Sequence, residues 1–98
     1  MISQTNLNQV ISLPDRYPEE ILDYYIAWDK RLAGDTIISS SFIAQSNSTL
    51  IVSANTYSNT SSTVWLSGGT SKTISIVKNT VVTLNGRTME IMLKIKTL

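Results

Sequence analysis

Thr63-Val64-Trp65-Leu66-Ser67-Gly68-Gly69-Thr70 is the stretch that decides the fold. Val64 and Leu66 alternate with Trp65, and the run ends at two consecutive glycines. That is a short strand entering a turn. Upstream, Gly34-Asp35-Thr36-Ile37 is another turn that opens a strand. Downstream, Asn85-Gly86-Arg87-Thr88 separates two apolar alternations and reads as a two-residue hairpin, with positive φ required at Asn85 and Gly86. Glycine punctuation between β-rich runs predicts an all-β domain, and no part of this pattern is catalytic.

Working outward, Thr36 to Gln45 alternates through Ile38, Phe42 and Ala44, and Asn47-Ser48 reads as a turn. Leu50, Val52 and Ala54 alternate next, and Asn55 to Ser62 reads as a polar loop. Ile74 and Ile76 lead a long strand to Leu84, whose apolar phase wavers at Val77 and Val81. A bulge, or burial of both faces, would explain the lapse. The last strand is the clearest: Met89, Ile91, Leu93 and Ile95 face in, while Glu90, Met92, Lys94 and Lys96 face out. Lysines there would guard an outer strand against stray pairing. The count is six to seven strands, which fits an immunoglobulin-like β-sandwich.

The N-terminal third is less regular. Residues 1–18 form an extended arm that carries Leu7, Val10, Ile11 and Leu13 and ends between Pro14 and Pro18. So many aliphatic residues argue that the arm docks, on its own domain or on a neighbour. It is expected to order against a partner or a neighbouring subunit, leaving residues 19–98 as the sandwich domain. Residues 19–33 admit two readings. Ile21, Tyr25, Trp28 and Leu32 make a helical stripe, whereas Tyr24, Ile26 and Trp28 alternate as in a strand.

The chain has 98 residues, enough for one sandwich. Charged residues are 15% of it, and serine and threonine together number 26. Such a surface can lie against a neighbour without stranding ions. The charge is unevenly placed. Residues 1–35 carry three basic and six acidic groups, and residues 36–98 five basic and one acidic. No charge lies between Asp35 and Lys72. The asymmetry would suit identical subunits packing head to tail.

Cysteine and histidine are both absent. No disulfide framework exists, and the usual zinc ligand and general base are missing. Serine runs such as Ser39-Ser40-Ser41 therefore lack their commonest activating base. Asp23, Asp29 and Asp35 do not follow the spacing of a calcium loop, so cap and turn roles suit them better. Scattered basic residues make no nucleic-acid patch, and no apolar run is long enough for a membrane span. Met1 to Val10 lacks the basic start and apolar core of a secretory leader. Asn47-Ser48-Thr49 and Asn59-Thr60-Ser61 match the glycosylation pattern but read as turn residues. No enzyme activity, cofactor or metal is expected.

Leu22-Asp23-Tyr24, Trp28, Leu32 to Ile37, Thr63 to Thr70 and Gly86-Arg87-Thr88 occur in this order. Together they resemble a family of small tailed-bacteriophage virion proteins, the fibre–tail adaptors, over roughly residues 20–98. The resemblance implies an immunoglobulin-like sandwich made in the host cytoplasm and built into the phage tail or neck. It also implies several copies in a symmetric ring, joining a fibre or spike to the tail through contacts with other virion proteins. It favours the strand reading for residues 22–28. Candidate interface residues are Leu7, Val10, Ile11 and Leu13 of the arm, with Tyr57, Ser58, Thr60, Gly68, Gly69 and Arg87. The competing reading is a carbohydrate-binding or adhesin-type module in which Tyr57 and Trp65 stack on a sugar.

Overall fold

The computed structural model describes residues 2–4, 10–45 and 48–98. Its strands are β1 (Ile2–Gln4), β2 (Val10–Ser12), β3 (Leu22–Ala27), β4 (Ile37–Ala44), β5 (Leu50–Tyr57), β6 (Ser61–Gly68), β7 (Thr73–Thr83) and β8 (Thr88–Thr97). A one-turn helix, α1 (Asp29–Leu32), follows β3. One sheet has the order β1-β3-β6-β5, the other β2-β8-β7-β4. The expected all-β sandwich is present. Six longer strands form its body, and two three-residue strands are added from the N-terminal segment.

Inward residues of both sheets make one core: Tyr24, Ile26, Val64 and Leu66 from the first sheet, and Phe42, Val77, Val81, Ile91, Leu93 and Ile95 from the second. The alternation in β8 stands as read, since Ile91, Leu93 and Ile95 are fully buried while Glu90, Lys94 and Lys96 are exposed. Val64 and Leu66 are likewise buried on either side of a half-exposed Trp65. Residues 22–27 are strand, and the chain then makes one helical turn at residues 29–32. The turn ends at Ala33 in the left-handed conformation, with φ 50°.

Four local readings need correction. β7 has no bulge: its pairing with β8 is continuous from Thr73 to Val82. Its inward phase is Ser75, Val77, Asn79, Val81 and Thr83, so Ile74 turns outward. The irregularities lie between Ile37 and Ser39 in β4 and between Val52 and Ala54 in β5. The first lets both Ile37 and Phe42 face the core, which strict alternation forbids for an odd and an even position. Asn55, Thr56 and Tyr57 extend β5, which leaves a loop of residues 58–60 only. The 84–86 turn also differs from the expected one. Gly86 N–H donates to the Thr83 carbonyl (3.0 Å), and Gly86, not Asn85, has the positive φ, at 83°. This is a tight turn closed by a left-handed glycine, one residue longer than the two-residue form. Asn47 lies outside the described residues.

Buried polar groups tie the two sheets together. Trp28, at the end of β3, is fully buried. Its indole N–H points at Ser62 Oγ (3.0 Å) on β6 and Asn79 Oδ1 (3.2 Å) on β7. Ser62 Oγ donates to Asn79 Oδ1 at 2.7 Å. The Asn79 amide nitrogen donates to Ser40 Oγ (3.1 Å) and the Ser41 carbonyl (2.9 Å) on β4. Each member has a partner, as a buried polar group requires.

The described part of the N-terminal segment docks on its own sheet. β2 pairs in parallel with Met92–Lys94 of β8. Ile11 and Leu13 enter the core, and Arg16 forms a bridge beside Thr97. β8 is thus an inner strand, and its lysines do not line an edge.

Two tests follow from this packing. Asn79→Ala strips partners from Trp28, Ser62 and β4 and should cost about 1–3 kcal/mol. Chemical denaturation would read it, with Thr80→Ala, on the opposite face, as the near-neutral control. Deleting residues 1–16 removes Ile11 and Leu13, each worth about 1.5–3 kcal/mol of burial, and bares the edge of β8. The truncated chain should melt well below the full chain. An unchanged melting curve would make the segment a dispensable arm.

Candidate interaction surfaces

Arg16 is fully buried, which a lone basic residue rarely is. Its guanidinium donates to the carbonyls of Gly68 and Glu20, and its own N–H and C=O pair with Lys96 O and Leu98 N. One side chain therefore pins the N-terminal segment to the 68–69 turn, and its backbone pins it to the C-terminal strand. Sequence reading passed over Arg16. The signal was a single cation in an aliphatic segment, between two prolines. Gly69 lies against the same group. Its φ is +92°, and a Cβ there would stand 2.8 Å from Thr97 Oγ1 and 3.2 Å from Arg16 Nη1. The Gly68–Gly69 turn thus owes its glycines at least partly to internal packing.

Arg87 and Asp35 form a second fixed corner. Arg87 Nε donates to Asp35 Oδ2 at 3.0 Å, and Arg87 Nη2 donates to the Leu32 carbonyl. Asp35 Oδ1 accepts from the amides of Thr36 (2.8 Å) and Asn85 (3.2 Å). The Asp35 side chain is 1% exposed and that of Arg87 44%. Burial pushes the Asp35 carboxyl upward, but hydrogen bonds from Thr83, Thr36, Arg87 and Asn85 outweigh it and hold its pKa at about 2. This corner joins the α1–β4 turn to the β7–β8 turn.

The other sequence candidates scatter. Leu7 lies outside the described residues. Val10 is exposed on β2, whereas Ile11 and Leu13 are core residues at 7% and 5% exposure. The Tyr57 hydroxyl donates to the Ile38 carbonyl (2.7 Å), linking the ends of β5 and β4. Ser58 Oγ pairs with Ser61 Oγ. The backbone of loop 58–60 also faces inward: Asn59 and Thr60 carbonyls accept from Ile37 N (2.9 Å) and Trp28 N (2.8 Å). Their side chains stay exposed.

Two broader surfaces emerge. The outer face of β2-β8-β7-β4 carries Val10, Ile43, Ile74 and Met92 with Lys78, Lys94 and Lys96. Lys78 pairs loosely with Glu90 at 3.6 Å, an exposed contact of little energetic weight. On the opposite flank, β4 and β5 are the edge strands of the two sheets, each of eight residues and without charge. Among the described residues no three His, Cys, Asp or Glu side chains gather as a metal site. No helix among them is long and apolar enough to cross a membrane.

Two uncharged edges, an aliphatic–lysine face and corners tied by one ion pair and by carbonyl contacts define a structural β-sandwich module. A family model described as podophage GP4 fiber-tail adaptor protein gp77 matches residues 16–96, and the chain belongs to that family. It is accordingly a structural bacteriophage virion protein of the tail. The match begins at Arg16, the residue that locks the N-terminal segment. Comparison with curated proteins gave no match.

The Asp35 corner predicts a pH dependence. The carboxyl pKa is depressed on folding, so its stabilisation is present above about pH 4, the ordinary carboxylate value, and is lost as pH falls toward 2. Asp35→Asn should flatten the fall in melting temperature between pH 4 and 2. An equally steep fall in the variant would place the acid sensitivity elsewhere.

Proposed function

We propose that this chain joins a tail fibre or spike to the tail by protein–protein contact alone, in several copies set symmetrically around the tail or neck. It catalyses nothing and needs no cofactor in this role. The observation that carries the reading is the family match over residues 16–96, nearly the whole sandwich. The charge-free stretch between Asp35 and Lys72 supports it, since hydroxyl and aliphatic surface is buried at lower cost than ions. Val10, Tyr57, Ser58, Thr60 and the exposed part of Arg87 are the proposed contacts among the sequence candidates. Gly68 and Gly69 would serve by shaping the turn beside them.

The sugar-binding reading asks Tyr57 and Trp65 to share a face. Tyr57 pairs with Ser62, three residues from Trp65 along β6, so they belong to opposite phases of the sheet. The geometry favours the adaptor.

Quantifying this chain in purified particles tests the proposal. It should be present at a fixed multiple of the fibre count. Asn59→Asp with Thr60→Asp places charges on the exposed loop; the isolated chain should melt as before, and incorporation should fall severalfold. Particles that assemble with fibres attached and without this chain would refute the adaptor role.

A further inference from the structure

The four sheet edges are treated unequally. β1 and β2 are three residues long, so the edges they form are short. β5 is different: eight residues, Leu50–Tyr57, with no charge and no proline, at the end of its sheet. Alternate residues of an edge strand turn their N–H and C=O groups away from their neighbour. Among the described residues, no backbone–backbone hydrogen bond outside strand pairing involves residues 50–57, and of their amides Leu50 N–H donates to a side chain, Ser48 Oγ (3.1 Å). The single irregularity, between Val52 and Ala54, is the only usual guard against strand addition present there. β4 is better closed: Ile37 N donates to Asn59 O, and the Tyr57 hydroxyl covers the Ile38 carbonyl.

Side chains at the edge fit the same purpose. Ile51 is 54% and Tyr57 48% exposed, one near each end of β5. Beside its Leu50 end opens an uncharged groove of about 250 Å³, lined by Gln45, Ser48, Thr49, Thr70, Thr73 and Ser75 among others. The strand spans about 26 Å at 3.3 Å per residue, room for a mode-length partner strand. We propose that β5 is a strand-addition site: an extended, uncharged segment of another tail protein pairs with it through main-chain hydrogen bonds. Main-chain bonding would supply the affinity, and contacts at Ile51, Tyr57 and the groove the choice of segment. The lysine-bearing face of the other sheet would reject such a partner less by shape than by leaving its ammonium groups unpaired.

This inference rests on the adaptor reading. The test is amide hydrogen exchange of the full chain, free and in purified particles. In the free chain, alternate β5 amides should exchange quickly. In particles they should slow by about tenfold or more, the mark of new hydrogen bonds. Ile51→Lys with Thr56→Lys should reduce incorporation severalfold while the free chain still melts cooperatively. Met92→Lys, on the outer face of the other sheet and away from the groove, should not. A chain missing from particles overturns the adaptor reading. A chain present there with β5 amides as fast as before overturns this inference alone, as does protection that appears in the free chain on raising its concentration, which would mean that a second copy occupies the edge.

Discussion

The contact on which the rest of this sandwich depends is the Trp28 indole N–H with Ser62 and Asn79. Each of the three comes from a different strand or strand end, and both sheets contribute. Burying an amide, a hydroxyl and an indole N–H costs several kcal/mol if any is left alone. The three satisfy one another in a single alignment of β3, β6 and β7, and Asn79 passes the constraint on to β4. A one-residue slip of β7 would turn Asn79 to solvent and present Thr80 or Lys78 to the core. The network therefore specifies register, in a strand whose outward phase carries Ile74, Ile76 and Val82 and whose hydrophobic pattern alone does not.

That division explains what the sequence disclosed and what it hid. β8 was legible because hydrophobicity and inward phase coincide at Ile91, Leu93 and Ile95. β7 was misjudged because its inward phase holds Ser75, Asn79 and Thr83 while isoleucines face out. The partners that make Asn79 acceptable lie 17 and 51 residues away, beyond the reach of any local pattern. The change from strand to helical turn at Trp28 was ambiguous for a similar reason: both periodicities pass through Trp28. The bulge at Ile38 breaks the alternation of β4, and a bulge has no marker in side-chain pattern alone.

The candidate site was less legible than the fold. Tyr57 and the 58–60 loop do lie on the surface, but Ile11 and Leu13, chosen as aliphatic residues on an arm, are buried in the core of their own domain. Composition marks a segment that docks; it does not tell on what. Arg16 was passed over because Asp15, Glu19 and Glu20 beside it make it look like an ordinary surface charge. Its guanidinium is met by carbonyls of Glu20 and Gly68, backbone groups whose position exists only in the folded chain.

The placement of the N-terminal segment bears on function as well as on stability. By pairing with β8 it converts a long, amphipathic strand from edge to interior, and the lysines at 94 and 96 are left on a face where they oppose no incoming backbone. All the remaining capacity for main-chain pairing by a long strand is thereby concentrated on the β4–β5 flank. Of that flank, the Ile37–Tyr57 end is closed by Ile37 N and the Tyr57 hydroxyl bonding across the gap. What stays open is the middle and far end of β5, in the part of the chain that carries no charge. A domain evolved to stand alone would be expected to place a lysine or proline there. Their omission over eight consecutive residues is what an edge covered by a partner strand, as proposed above, would allow.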